Sequence, residues 1–329
     1  MILIFKIWCS IEVNATENIL DIFKRLFRYF SMTMSIIQEI SVLTKNHVKI
    51  KNPDRVNDIL SNMIKGGVSK VQIVSDFDRT ITKQHQDGVP HLSTFAMFSK
   101  IPSSANNENY QKTVSALRAK YYPIEIDPHI PHEEKLKLME EWWELSEKAI
   151  RGLKVTPEEI EDICVKTQPS LREGTREFFK DLAQENVPIV VFSAGCGDLV
   201  MSILKQFDVY LPNVKIISNF LKYNSEGIIE GFQDKVIHVL NKNEYAIKNS
   251  DFYHVLEKRD NVIVLGDSLG DASMAEGLDH LKNLLKIGFL YDHIDQYLPL
   301  YLDTFDIVLI DDQTMDVPKA IFDYIKAAQ

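Results

Sequence analysis

Acidic residues recur as close pairs at two places in the chain. Asp76 and Asp78 flank Phe77, and Asp267 and Asp271 lie in a Gly-Asp-Ser-Leu-Gly-Asp run. Carboxylates that a fold brings together repel one another unless a cation lies between them. An all-oxygen set favours Mg²⁺ over Zn²⁺, and the sequence offers no competing histidine or cysteine cluster. If the two pairs meet, the sequence therefore predicts a magnesium site.

A carboxylate beside such a cation can act as a nucleophile toward phosphorus. Asp76 is our candidate, because an aspartyl-phosphate would divide hydrolysis into two displacement steps. Asp78 lies two residues further on, and it can protonate the leaving oxygen and later deprotonate the attacking water. The pair therefore predicts a nucleophile and an acid/base in one short segment.

A transferring phosphoryl group also needs donors and a fixed positive charge. The Ser193 hydroxyl and the Ala194 and Gly195 amides, at a predicted strand-to-helix turn, can supply the donors. Lys242 is the best-placed cation by sequence, since it falls between the third and fourth predicted strands. Each group taken alone is also explained by a turn, a helix cap or a surface lysine. Only their shared placement favours a site.

The elements that must position these groups are short β-branched runs alternating with helical stretches. This pattern is typical of a parallel sheet covered on both faces. Ligands of such sheets bind beyond the carboxyl ends of the strands, and each polar group follows one strand, with Ser218 and Asn219 after the third. The predicted strands are 71–74, 187–192, 214–217, 261–265, 285–290 and 305–310, and a helix is predicted over 175–184.

Residues 82–167 show helical periodicity and no convincing strand. Helices are predicted over 110–120 and 133–150, the second with Trp142 and Trp143 on a broad apolar face. We therefore predict an α/β fold in which a Rossmann-like parallel sheet carries a helical cap domain (82–167) inserted after the first core strand. The catalytic core is expected to comprise 34–81 and 168–329. Residues 1–33 are a leader of uncertain role, with an amphipathic surface or targeting helix left open.

Composition limits the partners and the compartment. The formal charge of -10 argues against a nucleic acid polymer as partner. The apolar start is far shorter than the ~20 residues that span a bilayer. Cys9, Cys164 and Cys196 are too few and too widely separated for a disulfide framework or a paired-thiolate zinc site. We expect a cytoplasmic monomer whose partner is a small molecule.

The four polar groups together resemble the motifs of the haloacid dehalogenase superfamily of phosphohydrolases. More narrowly, from about Ile59 to the C terminus the chain is similar to the cytosolic pyrimidine 5′-nucleotidases (cytosolic 5′-nucleotidase III type). The segments that carry this similarity are 64–67, 120–128, 192–195, 212–215, 241–242 and 285–288.

The resemblance implies a haloacid dehalogenase-type core and a set of catalytic roles. Asp76 would be the nucleophile and Asp78 the acid/base. Mg²⁺ would be held by Asp76, the Asp78 main-chain carbonyl and Asp267, with Asp271 supporting the metal site.

The resemblance also implies how a nucleotide would be held. Ser193, Ala194 and Lys242 would bind its phosphate. Glu125 and Ser146, in the predicted cap, would contact the nucleoside. A buried carboxylate discriminates between ligands because leaving it unpaired is costly.

The expected activity is magnesium-dependent hydrolysis of nucleoside 5′-monophosphates, with uridine and cytidine monophosphate as preferred substrates. Arg79 departs from the residue type common in the family, and 89–100 lacks a segment with cysteine and histidine found in some members. Base preference therefore stays open, with Phe95, Phe98 or the tryptophans available for stacking. The alternatives are a preference for 7-methylguanosine monophosphate, whose cationic ring favours aromatic neighbours, a nucleoside phosphotransferase, and a non-catalytic phospho-ligand-binding protein.

Overall fold

The computed structural model describes residues 35–127, 129–242, 253–276 and 278–328. The leader predicted at 1–33 lies outside these ranges. The strands are β1 (Val48–Lys49), β2 (Val71–Ser75), β3 (His85–Gln86), β4 (Val89–Pro90), β5 (Ile189–Cys196), β6 (Val214–Asn219), β7 (Leu221–Tyr223), β8 (Ile229–Phe232), β9 (Asn261–Gly266), β10 (Asn283–Leu290) and β11 (Ile307–Ile310).

Seven of these strands form the central sheet of the described chain, in the order β1-β11-β10-β9-β2-β5-β6. All neighbours pair in parallel except β1, which adds an antiparallel edge against β11. The six predicted strands are all present, which confirms the α/β class. The edge strand β1 is only two residues long and carries too little pattern to be read from sequence.

Helices connect and cover the strands. They are α1 (Ile36–Glu39), α2 (Pro53–Gly66), α3 (Thr94–Phe98), α4 (Pro102–Ala105), α5 (Glu108–Ile126), α6 (His132–Ile150), α7 (Pro157–Thr167), α8 (Thr175–Gln184), α9 (Gly197–Gln206), α10 (Tyr253–Leu256), α11 (Ile294–Thr304) and α12 (Asp316–Ala327), with 3₁₀ turns at Ser41–Thr44, Val68–Lys70 and Leu269–Ser273. The predicted helix 175–184 is correct, and those at 110–120 and 133–150 are present with extended ends.

Both faces of the sheet are buried. Along β9, Ile263 and Leu265 join one apolar cluster, whereas Val262 and Val264 join another on the opposite face. Side chains of a strand alternate between faces, so an unbroken apolar run requires cover on both. Within the described residues, no helix has the length and apolar character that crossing a membrane requires.

The region between β2 and α8 is mostly helical but contains one hairpin. β3 pairs with β4 in antiparallel fashion, so the expectation that 82–167 lacks strands is wrong. Asp87 and Gly88 form the two-residue turn with φ of 52° and 79°, the left-handed backbone that Asp-Gly turns adopt. The strands flanking this turn are too short to show alternation. The division into core and cap domains remains a proposal.

Candidate active site

Asp76 and Asp267 follow two neighbouring parallel strands, which places them side by side. Asp76 directly follows β2, and its amide donates to the Leu265 carbonyl of β9 at 2.9 Å. Asp267 directly follows β9. Asp76 is 5% exposed. The pairing of β2 with β9 therefore brings the two predicted acidic segments to one edge of the sheet.

Lys242 joins this acidic pair from a loop after β8. Its side chain is 3% exposed and donates hydrogen bonds to Asp76 Oδ1 and, at 2.9 Å, to Asp271 Oδ1. Burial opposes the charge of Lys242, but the carboxylates of Asp271 and Asp76 outweigh it and raise its pKa. A buried ammonium is tolerated only when it is paired in this way. Lys242 is therefore a fixed positive charge in the site and not a surface lysine.

Asp271 is held by hydrogen bonds on both of its oxygens. While Oδ1 accepts from Lys242, Oδ2 accepts from the Ser268 amide at 2.9 Å, the Ser268 hydroxyl at 2.8 Å and the Asp267 amide at 3.2 Å. A Cβ on Gly266 would lie 2.3 Å from the Asp271 Cβ, so this approach requires glycine. Asp271 thereby fixes the turn that presents Asp267.

The carboxylates of Asp76, Asp267 and Asp271 offer oxygen atoms that all lie within 4.8 Å of one another. Within the described residues, Asp76 Oδ2 is buried and has no hydrogen-bond partner. Burial raises the pKa of Asp76 well above its ordinary value against the attraction of Lys242, and the two other carboxylates add to the rise. Burial and then Asp271 raise the pKa of Asp267 to about 7. An unpaired buried oxygen in an all-oxygen cluster fits a hard divalent cation.

The Asp78 carboxylate is held by the start of α3. It accepts from the Thr94 amide at 2.9 and 3.2 Å and from the Thr94 hydroxyl at 2.8 Å. Burial raises the pKa of Asp78, and the bonds from Thr94 offset part of the rise. Thr94 was not among the predicted site residues. The helix-start signal at Ser93, whose hydroxyl caps α3, marks only a turn.

The segment that carries Ser193 and Ala194 is extended. β5 continues to Cys196, past the predicted end at 192, and its register against β6 shifts between Phe192 and Cys196. The predicted strand-to-helix turn at 193–195 is therefore wrong. Ser193 is 1% exposed, and its hydroxyl accepts from the Gly195 amide at 3.0 Å.

Two buried residues support the main chain of the acidic segments. Arg172, 1% exposed, donates to the Thr80 carbonyl at 2.7 Å and to the Arg79 and Asp312 carbonyls, and it lies over the Phe289 ring at 3.8 Å. The Tyr301 hydroxyl donates to the Asp267 carbonyl at 2.5 Å. Sequence reasoning missed both, because an isolated arginine or tyrosine far from the motifs carries no signal.

Glu125 and an aromatic pair lie on the helices after Asp78. Glu125 is half-buried in the last turn of α5, and burial raises its pKa to about 7 against the attraction of Arg79 and Lys242. Phe95 follows Thr94 on α3, and its ring meets Trp143 of α6 edge-on at 4.8 Å. Both rings are half-buried, so each retains accessible surface.

The other stacking candidates are already engaged. Phe98 is 1% exposed and packs edge-on against Tyr110, so it offers no face to a ligand. Trp142 stacks on buried Tyr121 at 5.8 Å. Ser146 is half-buried one turn after Trp143 on α6, and its contact with a nucleoside remains a prediction.

Several known proteins are similar to this chain over most of its length. The family model "Pyrimidine 5′-nucleotidase (UMPH-1)" matches residues 79–326. The 7-methylguanosine phosphate-specific 5′-nucleotidase of Drosophila melanogaster is 44% identical over 292 residues, which cover 88% of this chain and 91% of that protein. The Homo sapiens protein of the same name is 38% identical over 288 residues, 88% and 95% of the two chains. The crystal structure of cytosolic 5′-nucleotidase IIIB bound to cytidine is 44% identical, with a TM-score of 0.84 over 89% of this chain and 98% of that one.

Proposed function

The chain belongs to the pyrimidine 5′-nucleotidase (UMPH-1) family of phosphatase-type hydrolases, and from this premise we propose that it is a magnesium-dependent 5′-nucleotidase that prefers 7-methylguanosine 5′-monophosphate. The observation that carries the proposal is the buried contact of Lys242 with Asp76 and Asp271, beside an Asp76 oxygen that has no partner in the described residues. This arrangement supplies a nucleophile and a counter-charge at one point.

Asp76 is the nucleophile in this proposal. Its carboxylate forms a bond to phosphorus while the bond from phosphorus to the nucleoside 5′ oxygen breaks, which gives an aspartyl-phosphate. Lys242 neutralises charge on the phosphoryl oxygens, and the Ser193 hydroxyl and the Ala194 main chain donate to them. Water then displaces Asp76 and releases inorganic phosphate.

Asp78 moves the protons in both steps. It gives a proton to the departing 5′ oxygen, and the resulting carboxylate then takes one from the attacking water. Burial raises the pKa of Asp78, which favours the proton-carrying form relative to an exposed aspartate. Thr94 holds the carboxylate through three hydrogen bonds, so its direction is fixed before the substrate arrives. A raised pKa and a fixed direction are what this dual role requires.

Mg²⁺ is the proposed cofactor, held by Asp76, the Asp78 carbonyl and Asp267. Asp271 supports these ligands from behind, because its own oxygens are occupied by Lys242 and the Ser268 turn. When bound, the ion would neutralise the carboxylates and polarise the phosphoryl oxygens.

The base preference rests on Phe95 and Trp143. The methylated guanine ring is cationic, and aromatic rings attract cations that lie within about 6 Å of them. Glu125, when ionised, adds a second attraction. Relatives 44% and 38% identical are named for 7-methylguanosine phosphate, which supports this substrate over the pyrimidine preference predicted from sequence. Cytidine monophosphate is the second candidate, because cytidine occupies the similar crystal structure. That structure is of a protein named a cytosolic 5′-nucleotidase, which supports a cytosolic location for this chain.

The test is phosphate release from 7-methyl-GMP, CMP, UMP and AMP, with Mg²⁺ and with chelator, for wild type and Asp76→Asn. We expect metal-dependent release with the highest kcat/KM for 7-methyl-GMP, and a loss of at least about 10³-fold in Asp76→Asn. Release that survives chelation or the substitution would refute the proposal. Equal kcat/KM for 7-methyl-GMP and CMP would refute only the base preference. Added nucleoside acceptors reveal any phosphotransfer through newly formed nucleotide.

A further inference from the structure

Asn219 ends β6 and lies between two parts of the proposed phosphate site. It is 3% exposed and makes three hydrogen bonds, each of 2.8 Å. Its Nδ2 donates to the carbonyls of Ala194 and Ile237, and its Oδ1 accepts from the Ile237 amide. One side chain therefore ties the end of β5 to the segment that leads to Lys242.

The bond to Ala194 sets the direction of a neighbouring amide. In a trans peptide the C=O and N–H groups point in opposite directions. Because Asn219 holds the Ala194 carbonyl on one side, the Gly195 N–H points to the other side, where it donates to Ser193 Oγ at 3.0 Å. With this N–H approaching its oxygen, the Ser193 hydroxyl directs its own proton elsewhere and can donate it to a phosphate oxygen.

Ser218 repeats this arrangement one peptide further along. Its hydroxyl donates to the Gly195 carbonyl at 3.0 Å, and the N–H of the same peptide, from Cys196, donates to Thr94 Oγ1 at 3.1 Å. The Thr94 hydroxyl then donates to Asp78. Ser218 and Asn219 thus hold two successive peptides whose amides reach Ser193 and Thr94.

The two bonds between Asn219 and Ile237 hold the segment that leads to Lys242. The segment from Val236 to Lys242 is braced by internal hydrogen bonds. The His238 amide donates to Asn241 Oδ1 at 2.7 Å, and Asn241 Nδ2 donates to the Val236 carbonyl at 2.9 Å. Asn219 bonds to this braced segment at Ile237, through both the amide and the carbonyl of that residue. Asn219 therefore links β5 to the segment that carries Lys242.

We propose that Asn219 is a positioning residue that fixes the separation between the phosphate-binding main chain at Ala194 and the ammonium of Lys242. The inference rests on the proposed function, because the Ala194 main chain and the Lys242 ammonium would both bind the phosphoryl group of the substrate. Phosphate affinity and turnover should therefore depend on Asn219, whereas nucleoside binding should not.

The test compares Asn219→Ala and Asn219→Asp with Asn213→Ala. The aspartate keeps the shape of the side chain and the bond from the Ile237 amide, but it turns a carboxylate toward two carbonyls. Asn213 is the matched control because it directly precedes β6 and its Nδ2 donates to the carbonyl of Val187, just before β5, at 2.8 Å. It therefore links the same two strands at their amino-terminal ends, away from the site.

Two affinities are measured for each variant in Mg²⁺: that for inorganic phosphate, by calorimetry, and that for the nucleoside, by product inhibition. We expect both Asn219 variants to weaken phosphate about tenfold and to lower kcat/KM about 10- to 100-fold, with nucleoside affinity within about twofold of wild type. Asn213→Ala should lower Tm while leaving phosphate affinity within about twofold.

Unchanged phosphate affinity in a folded Asn219 variant would overturn the inference, and so would an equal loss in Asn213→Ala. If Asn219→Ala does not fold, Asn219→Asp carries the same comparison. Wild-type protein that binds phosphate but hydrolyses no nucleotide would refute the proposed function, while the phosphate affinities still decide the role of Asn219.

Discussion

Replacing Gly195 with alanine tests the geometry around Asp78 most directly. A Cβ at this position would lie 2.1 Å from Thr94 Oγ1, 2.9 Å from Asp78 Oδ2 and 3.0 Å from Ser193 Oγ. Ordinary contact begins near 3.4 Å, so the Thr94 hydroxyl must move by about 1.3 Å. One methyl group therefore displaces three side chains to which the mechanism assigns positions.

The expected cost lies in turnover. A misplacement of about 1 Å at a reacting group lowers the rate about 10²-fold, which corresponds to about 2.7 kcal/mol of transition-state stabilisation. Gly195 has no left-handed φ among the described backbone angles, so alanine brings steric displacement without backbone strain. We expect Gly195→Ala to lower kcat about 10²-fold.

The assay is steady-state phosphate release from 7-methyl-GMP, with Tm measured in parallel. Gly66→Ala is the matched control, because its Cβ would lie 2.6 Å from Asn261 Nδ2. Asn261 begins β9, so this contact lies at the amino-terminal ends of the strands, away from the site. This variant should lower Tm and keep kcat within about twofold of wild type.

A double-mutant cycle identifies the clash itself. Thr94→Ala removes the atom nearest to the new methyl group, so Gly195→Ala should cost less in that background, with a coupling of about 1–2 kcal/mol. A folded Gly195→Ala enzyme with wild-type kcat would show that the new methyl group leaves Asp78 and Thr94 in place. Additive costs in the double variant would show that Thr94 is not the group displaced.

Three further predictions concern the metal, the base and stability. Tyr301→Phe removes the hydroxyl that holds the Asp267 carbonyl, and it should weaken Mg²⁺ about tenfold in a titration of activity against free Mg²⁺. Glu125 has a pKa of about 7, so it is protonated below that pH and ionised above it; KM for 7-methyl-GMP should therefore fall as pH rises from about 6 to about 8, and Glu125→Gln, compared over the same range, should lose this component. Asp76→Asn replaces a carboxylate whose pKa is raised by burial, so in chelator it should raise Tm relative to wild type while turnover is lost, and an unchanged or lower Tm would contradict the charge argument.

The sheet was readable from sequence because its strands are buried on both faces. Runs such as 262–265 are apolar throughout, and a polar group follows each of the first four strands. Parallel pairing brings Asp76, Asp267 and Asp271 together, and Lys242 joins them. The carboxylate of Asp78, the fourth acid of the two predicted pairs, is held by Thr94 instead. The β3–β4 hairpin was not predicted, because each of its strands is only two residues long.

The residues that support the site could not be predicted from the sequence, because hydrogen bonds across long sequence distances leave no local pattern. Thr94 is 16 residues from Asp78, and Tyr301 is 34 residues from Asp267. Asn219 was noticed as a strand-end residue, but nothing in the sequence indicated that its amide reaches both Ala194 and Ile237. Such hydrogen-bond partners are determined by the packed fold and cannot be inferred from sequence periodicity.

The charges of the site oppose its own stability. Three carboxylates lie at one sheet edge, and Lys242 pairs directly with only two of them, Asp76 and Asp271. Asp267 is left with a pKa near 7, and Asp76 Oδ2 has no partner in the described chain. A divalent cation must displace the proton that Asp267 holds near neutral pH, so cation binding tightens as pH rises toward 7. If a divalent cation binds at this cluster, its charge would offset the free energy that folding loses by burying unpaired carboxylates, and binding would stabilise the folded chain.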